Sequence, residues 1–158
     1  MYHAIKLNDL RKIEALISSG TDINAPTAIG HGYTPLGVSI AYDVWDCFEL
    51  LLSKKADVNA ASGRFSPIEL ATVRSIKDKD TKYFDRLYAR SDLKIIPGLE
   101  AACSSRNCFD IGIFEKLLNH PSQPSSWTSG LSYLMRNLAT IGKPEFFDLL
   151  FTRKIPLD

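Results

Sequence analysis

Two stretches of this chain copy one another 35 residues apart, and that interval limits the fold more than any other feature. Ala15-Leu16-Ile17-Ser18-Ser19-Gly20-Thr21-Asp22-Ile23-Asn24-Ala25 returns as Leu50-Leu51-Leu52-Ser53-Lys54-Lys55-Ala56-Asp57-Val58-Asn59-Ala60. Each copy reads as the end of an apolar helix followed by a polar turn. A period in this range marks a stack of small supersecondary units. One such unit cannot bury its own apolar face, so neighbours in register bury it for each other.

The unit around the second copy is the clearest. Gly30-His31-Gly32-Tyr33 reads as a tight turn, with glycine supplying positive φ. Thr34 can cap the helix that follows, and Pro35 suits its first position, where no backbone donor is needed. The first helix is expected from Pro35 to about Tyr42. Asp43 can break it and cap the next. The second helix is expected over Val44 to Ser53, with Phe48, Leu51 and Leu52 on one face. Thr34-Pro35-Leu36-Gly37, Leu51-Leu52 and Lys55-Ala56-Asp57-Val58-Asn59 together resemble the ankyrin repeat, whose marks are Thr-Pro-Leu-His, paired leucines and Gly-Ala-Asp-Val-Asn. Two departures stand out. Gly37 replaces the histidine that ties neighbouring turns, and Lys55 replaces the glycine that ends the second helix in a left-handed conformation.

The other units follow with less fidelity. The first starts late: Tyr2 falls where the histidine would be, Leu10 to Ser18 forms the second helix, and Gly20 closes it. Ser66-Pro67-Ile68 opens the third, Ser75 to Asp80 is expected to lengthen its inter-helix loop, and Tyr83, Phe84, Leu87 and Tyr88 mark its second helix. Ile96-Pro97-Gly98-Leu99 opens the fourth, and Ile113, Phe114, Leu117 and Leu118 form its apolar stripe. A Pro/Ser segment from Pro121 punctuates the chain. Trp127 to Thr140 and a helix opened by Pro144 make the fifth. The resemblance therefore implies an all-α fold: one domain over residues 1–158, an ankyrin-repeat solenoid of about five helix pairs. The repeats run roughly 1–25, 26–60, 61–94, 95–122 and 123–158, with irregular third and fourth members and capping terminal ones.

Composition narrows the function classes. A chain of 158 residues with 45% apolar content buries a sizeable core without metal or disulfide. Its 19 basic and 18 acidic residues give a net charge of +1, which leaves no footprint for nucleic acid or anionic lipid. Cys47, Cys103 and Cys108 follow no disulfide framework, which suits a reducing compartment. No apolar run approaches the roughly 18 residues of a membrane span, and the N-terminus lacks a signal-peptide core. A cytoplasmic monomer is expected.

No phosphate loop or nucleophile elbow is present, and the three histidines lie far apart in sequence. Cys103, Cys108 and His120 come nearest to a zinc set or a Cys–His pair, but the spacing lacks a second close pair, so neither metal nor cofactor is expected. The ankyrin resemblance implies a groove lined by turn tips and first helices, where protein partners dock. Carried over, the pattern gives Lys6, Leu7, His31, Tyr33, Tyr42, Phe65, Val73 and Arg74, with Cys103 and Ser104 extending the row. Tyr, Phe and Arg dominate interface energies, so Lys6, His31, Tyr33, Tyr42, Phe65 and Arg74 are the candidate partner-binding residues. Tyr33, Tyr42, Phe65 and Arg74 are expected to cluster. In the family, Asn24 and Asn59 stand where asparaginyl hydroxylation occurs in animal cells; the simpler reading is that they bond the turn backbone. The expected function is a non-catalytic scaffold for a protein or peptide. The alternative is the targeting domain of a larger multidomain protein or bacterial effector, with its catalytic part outside this chain.

Overall fold

Regular backbone patterns, not side-chain identity, show most directly how this chain is built. The computed structural model describes residues 1–29, 31–61, 65–103, 109–122, 128–153 and 155. Among them it is all-helical. The helices are α1 (Tyr2–Lys6), α2 (Leu10–Ser18), α3 (Pro35–Ala41), α4 (Trp45–Ser53), α5 (Pro67–Asp78), α6 (Lys82–Tyr88), α7 (Ile96–Ala102), α8 (Ile111–Leu118), α9 (Thr128–Ile141) and α10 (Pro144–Thr152). The chain forms two compact units, residues 1–70 and 71–158.

In the first unit, α1 and α3 end in the same way. Leu7, Asn8 and Asp9 donate to the carbonyls of His3, Ile5 and Ala4, while Tyr42, Asp43 and Val44 donate to those of Val38, Ile40 and Ser39. Asn8 and Asp43, 35 residues apart, take the left-handed conformation at φ +53° and +57°. Asn and Asp are the side chains that visit this region most readily after glycine. Asp43 therefore turns the chain, but it does not cap α4, whose N-cap is Val44 with no side-chain bond.

α2 and α4 close with a second shared motif. Thr21 N–H reaches the Leu16 carbonyl and Ala56 N–H that of Leu51, both over five residues, with Gly20 and Lys55 left-handed between. This is the Schellman closure, which favours glycine at the left-handed position. Lys55 holds φ +63° despite its Cβ. Lys55→Gly is accordingly expected to raise stability by about 1 kcal/mol, read as a higher urea midpoint at unchanged slope.

Thr34 and Pro35 act as read, while Gly30 lies outside the described residues. Thr34 Oγ1 accepts from Gly37 N–H at 3.2 Å, and Pro35 occupies the first turn of α3. A Cβ on Gly37 would stand 3.2 Å from Leu70 Cδ1 and 3.3 Å from Tyr33 Cβ, so this crowded spot leaves little room for a histidine. Ser66 and Glu69 form a capping box at the start of α5: Ser66 N–H donates to Glu69 Oε2 at 2.5 Å and Glu69 N–H to Ser66 Oγ at 3.4 Å. α1 packs on α2 and α3, and α4 on α2 and α3. Ile5, Ile13, Leu36, Val38, Ile40, Phe48 and Leu51 are buried between them.

The expected loop over Ser75 to Asp80 is not there. α5 continues to Asp78, and the chain turns at Lys79, φ +57°. Ile76 is buried, Ser75 Oγ donates to the Ala71 carbonyl, and Arg74 pairs with Asp78 one turn on. Lys77 and Asp78 are the solvated face of a longer helix. In the second unit α7 packs on α8 and α9, and α10 on the same two helices. Phe114 and Phe146 meet edge to face there, 4.9 Å between centroids.

Candidate protein-binding face of the first unit

α3 sets the geometry of the candidate site, because its two ends carry two separate groups of side chains. Before its N-terminus, Thr27 N–H bonds the Tyr33 carbonyl at 2.9 Å and closes a finger-like turn. His31 and Gly32 are both left-handed in it, at φ +69° and +70°. His31 is exposed, and its ring lies 5.5 Å from that of Tyr33. Tyr33 in turn meets Phe65 edge-on at 6.0 Å. Phe65 stays 39% exposed.

After the C-terminus of α3, Tyr42 is 37% exposed and joins α1. Its hydroxyl lies 2.6 Å from that of Tyr2, with the rings edge to face at 5.7 Å. Lys6 Nζ sits 5.2 Å from the Tyr42 ring centre. The hydrogen bond to Tyr42 raises the Tyr2 phenol above its ordinary range. Tyr2 thus completes a group that helical periodicity does not reveal, because the contact depends on how α1 and α3 pair.

The expected single cluster is therefore corrected. Tyr33 and Phe65 belong to one group, Tyr42 to another, and α3 spans between them at about 1.5 Å per residue. Arg74 belongs to the second unit. There its guanidinium is held by Asp80 at 3.4 Å and Asp78 at 3.8 Å, and lies 5.6 Å from the Tyr83 ring centre. Leu7 is 78% exposed and Val73 is half-buried. Cys103 is fully buried, with its thiol donating to the Leu99 carbonyl, so it cannot extend a surface row. Ser104 lies outside the described residues.

The turns beneath the finger are cross-braced. Asp22 and Asp57 each accept from the amide two residues on, Asn24 and Asn59, at 2.8 Å. Asn24 Oδ1 then accepts from Asp57 N–H at 2.9 Å, joining one turn to the next. Asn24 bonds turn backbone, as the simpler reading has it.

The Cys–His candidates resolve differently. Cys108 lies outside the described residues. His120 is 1% exposed, and both its ring nitrogens face backbone partners: Nε2 stands 2.8 Å from the Tyr88 carbonyl, and Nδ1 accepts from Ser122 N–H at 3.1 Å. That fixes the proton on Nε2 and leaves no lone pair for a metal or a thiol. Burial, followed by Glu100, pushes the Cys103 thiol up to about 12; burial, followed by Asp46 and Asp9, pushes Cys47 up to about 11. In a Cys108→Ser background, iodoacetamide at about neutral pH is expected to label both at least about a hundredfold more slowly than a free thiol, whose pKa is near 8.5. Mass spectrometry of the timed reaction checks this.

The ankyrin repeat family model matches residues 31–63. The segment runs from the finger turn through α3 and α4 to the closing turn. The chain therefore carries an ankyrin repeat at the place where its own motifs locate one. No curated protein and no solved structure matches the chain. Ankyrin repeats are typically non-catalytic modules of protein–protein interaction. Among the described residues, no helix is long and apolar enough to cross a membrane, and no cluster of three metal-ligating side chains occurs.

Proposed function

We propose that this chain is a non-catalytic cytoplasmic scaffold that binds a protein or peptide partner, not nucleic acid or membrane. The partner docks along the side of the first unit that carries the finger turn and the two ends of α3. His31, Tyr33 and Phe65 supply aromatic contact area at the finger. Lys6 and Tyr42, with Tyr2, supply a cation and two hydroxyls at the far end. The observation that carries this reading is the continuous ring contact His31–Tyr33–Phe65, drawn from two successive turns and left partly open to solvent. Rigid aromatic side chains of this kind bury large area at low entropic cost and form the centres of interfaces. Arg74 is left out of the set, because its charge is already held within the second unit.

A photo-crosslinking residue at position 33 or 65 tests the proposal in the cell of origin, with the exposed position 89 as control. Adducts with a discrete protein are expected at 33 and 65, lost when His31 and Tyr42 are both alanine. Equal adducts at position 89 would reject the assignment.

A further inference from the structure

Two tyrosines from successive helix pairs meet hydroxyl to hydroxyl. Tyr2 opens α1 and Tyr42 follows the end of α3. Their phenol oxygens stand 2.6 Å apart, toward the short end of the range for O–H···O bonds. The rings are edge to face, with 5.7 Å between centroids and 83° between planes. Those centroids are too close for phenols that touch end to end, so the two rings lie side by side at their hydroxyl ends. The carbons ortho to each hydroxyl therefore face the neighbouring ring.

The pair can also be reached from solvent. Tyr2 is half-buried, and Tyr42 is exposed although α1 and α2 are stacked before its own helix pair. Access to Tyr42 therefore does not depend on what stands beyond Met1. The other tyrosines whose side chains are described have different surroundings. Tyr33 packs against His31 and Phe65, Tyr83 is fully buried, and Tyr88 donates its hydroxyl to the Lys116 carbonyl.

We propose that Tyr2 and Tyr42 form an oxidative cross-linking site, where hydrogen peroxide acting through a haem peroxidase joins the two rings and staples α1 to the end of α3. Each phenol gives up one electron and its hydroxyl proton and becomes a phenoxyl radical, whose spin reaches the ortho carbons. One carbon–carbon bond forms between an ortho carbon of each ring. The protons on those two carbons are then lost to water while the oxygens take protons back, which restores both hydroxyls. Two electrons and two protons pass to one peroxide, which leaves as two waters. In the linked product the hydroxyls flank the new bond and hydrogen-bond one another across twisted rings. The native pair already has that bond and that twist. Holding the partners in this way replaces a collision between chains with a step inside one chain. The staple joins residues 40 apart in sequence and so constrains the unfolded chain. It rests on the contact of α1 with α3 and not on the docking of a partner.

A haem peroxidase with limiting peroxide, added to the full chain, tests this; N-acetyltyrosine coupled in a parallel tube shows that the oxidant works. Mass spectrometry after trypsin should find the peptide ending at Lys6 joined to Ile13–Lys54. The joined species should be lighter by two hydrogen atoms than the separate peptides, with fragment ions placing the bond on Tyr42. Its yield should stay constant over about a twentyfold range of protein concentration. Tyr2→Phe and Tyr42→Phe should each lower the dityrosine fluorescence of single chains at least about tenfold, and Tyr33→Phe should leave it unchanged. The isolated linked chain should melt at least about 5 °C higher than the unlinked one. A yield that rises with concentration, a bond that ends on Tyr33, a linked chain that melts no higher, or no joined peptide where N-acetyltyrosine couples would each overturn the proposal.

Discussion

Replacing His120 with alanine is expected to lower the stability of the chain by about 3 kcal/mol, although the residue touches no candidate site. Its ring is buried, edge to face with Tyr88 at 4.8 Å, and bonded at both nitrogens. Alanine would strand the Tyr88 carbonyl and the Ser122 amide, at about 1–3 kcal/mol each when no water reaches them, and would leave a void as well. The same knot includes the Ser122 hydroxyl, which donates to the Leu93 carbonyl, and the Tyr88 hydroxyl, which donates to that of Lys116 at 3.0 Å. It ties the end of α6 and the following turn to the end of α8. Urea unfolding of His120→Ala and His120→Phe separates the contributions. Phenylalanine restores volume but not the bonds, so it should recover less than half of the loss. A loss under about 1 kcal/mol in the alanine variant would show that the bonds are not needed.

Phe48→Ala should cost more, about 4 kcal/mol, because it empties the centre of the first unit. Phe48 is fully buried on α4, 5.3 Å from the ring of Trp45. At this chain length the change corresponds to a fall of roughly 10 °C in the unfolding midpoint. Phe65→Ala provides the contrast. That ring is 39% exposed at the finger turn, so its removal should shift the midpoint by no more than about 1–2 °C while abolishing the photo-crosslink from position 33. The same residue type is thus asked to hold the fold at one position and a partner at the other. Calorimetry and crosslinking on the two variants tell these roles apart.

The fold was legible where a local signal and a repeated one agreed. Thr34-Pro35 started α3, and the leucine pair with Asp57-Val58-Asn59 marked the end of α4. The extent of α5 was not legible. Alternating charges from Lys77 to Lys82 suit a loop or the wet face of a helix equally well, and only the burial of Ile76 decides between them. Of the candidate site, the exposure of His31, Tyr42 and Phe65 could be read from the repeat register. Their grouping could not. Whether Tyr42 meets Tyr33 or Tyr2 depends on how α1 and α3 pair. Cys103 was misplaced for a related reason: register put it at a helix end, and only packing shows that this end is inside.

The closures of α2 and α4 join main chain to main chain, so the residue at the bend sets what the bend costs and not where it leads. Glycine at 20 and lysine at 55 trace one path. Spelling can drift at such corners while the route is preserved, and kinship between units of this kind is better gauged in dihedral angles than in letters.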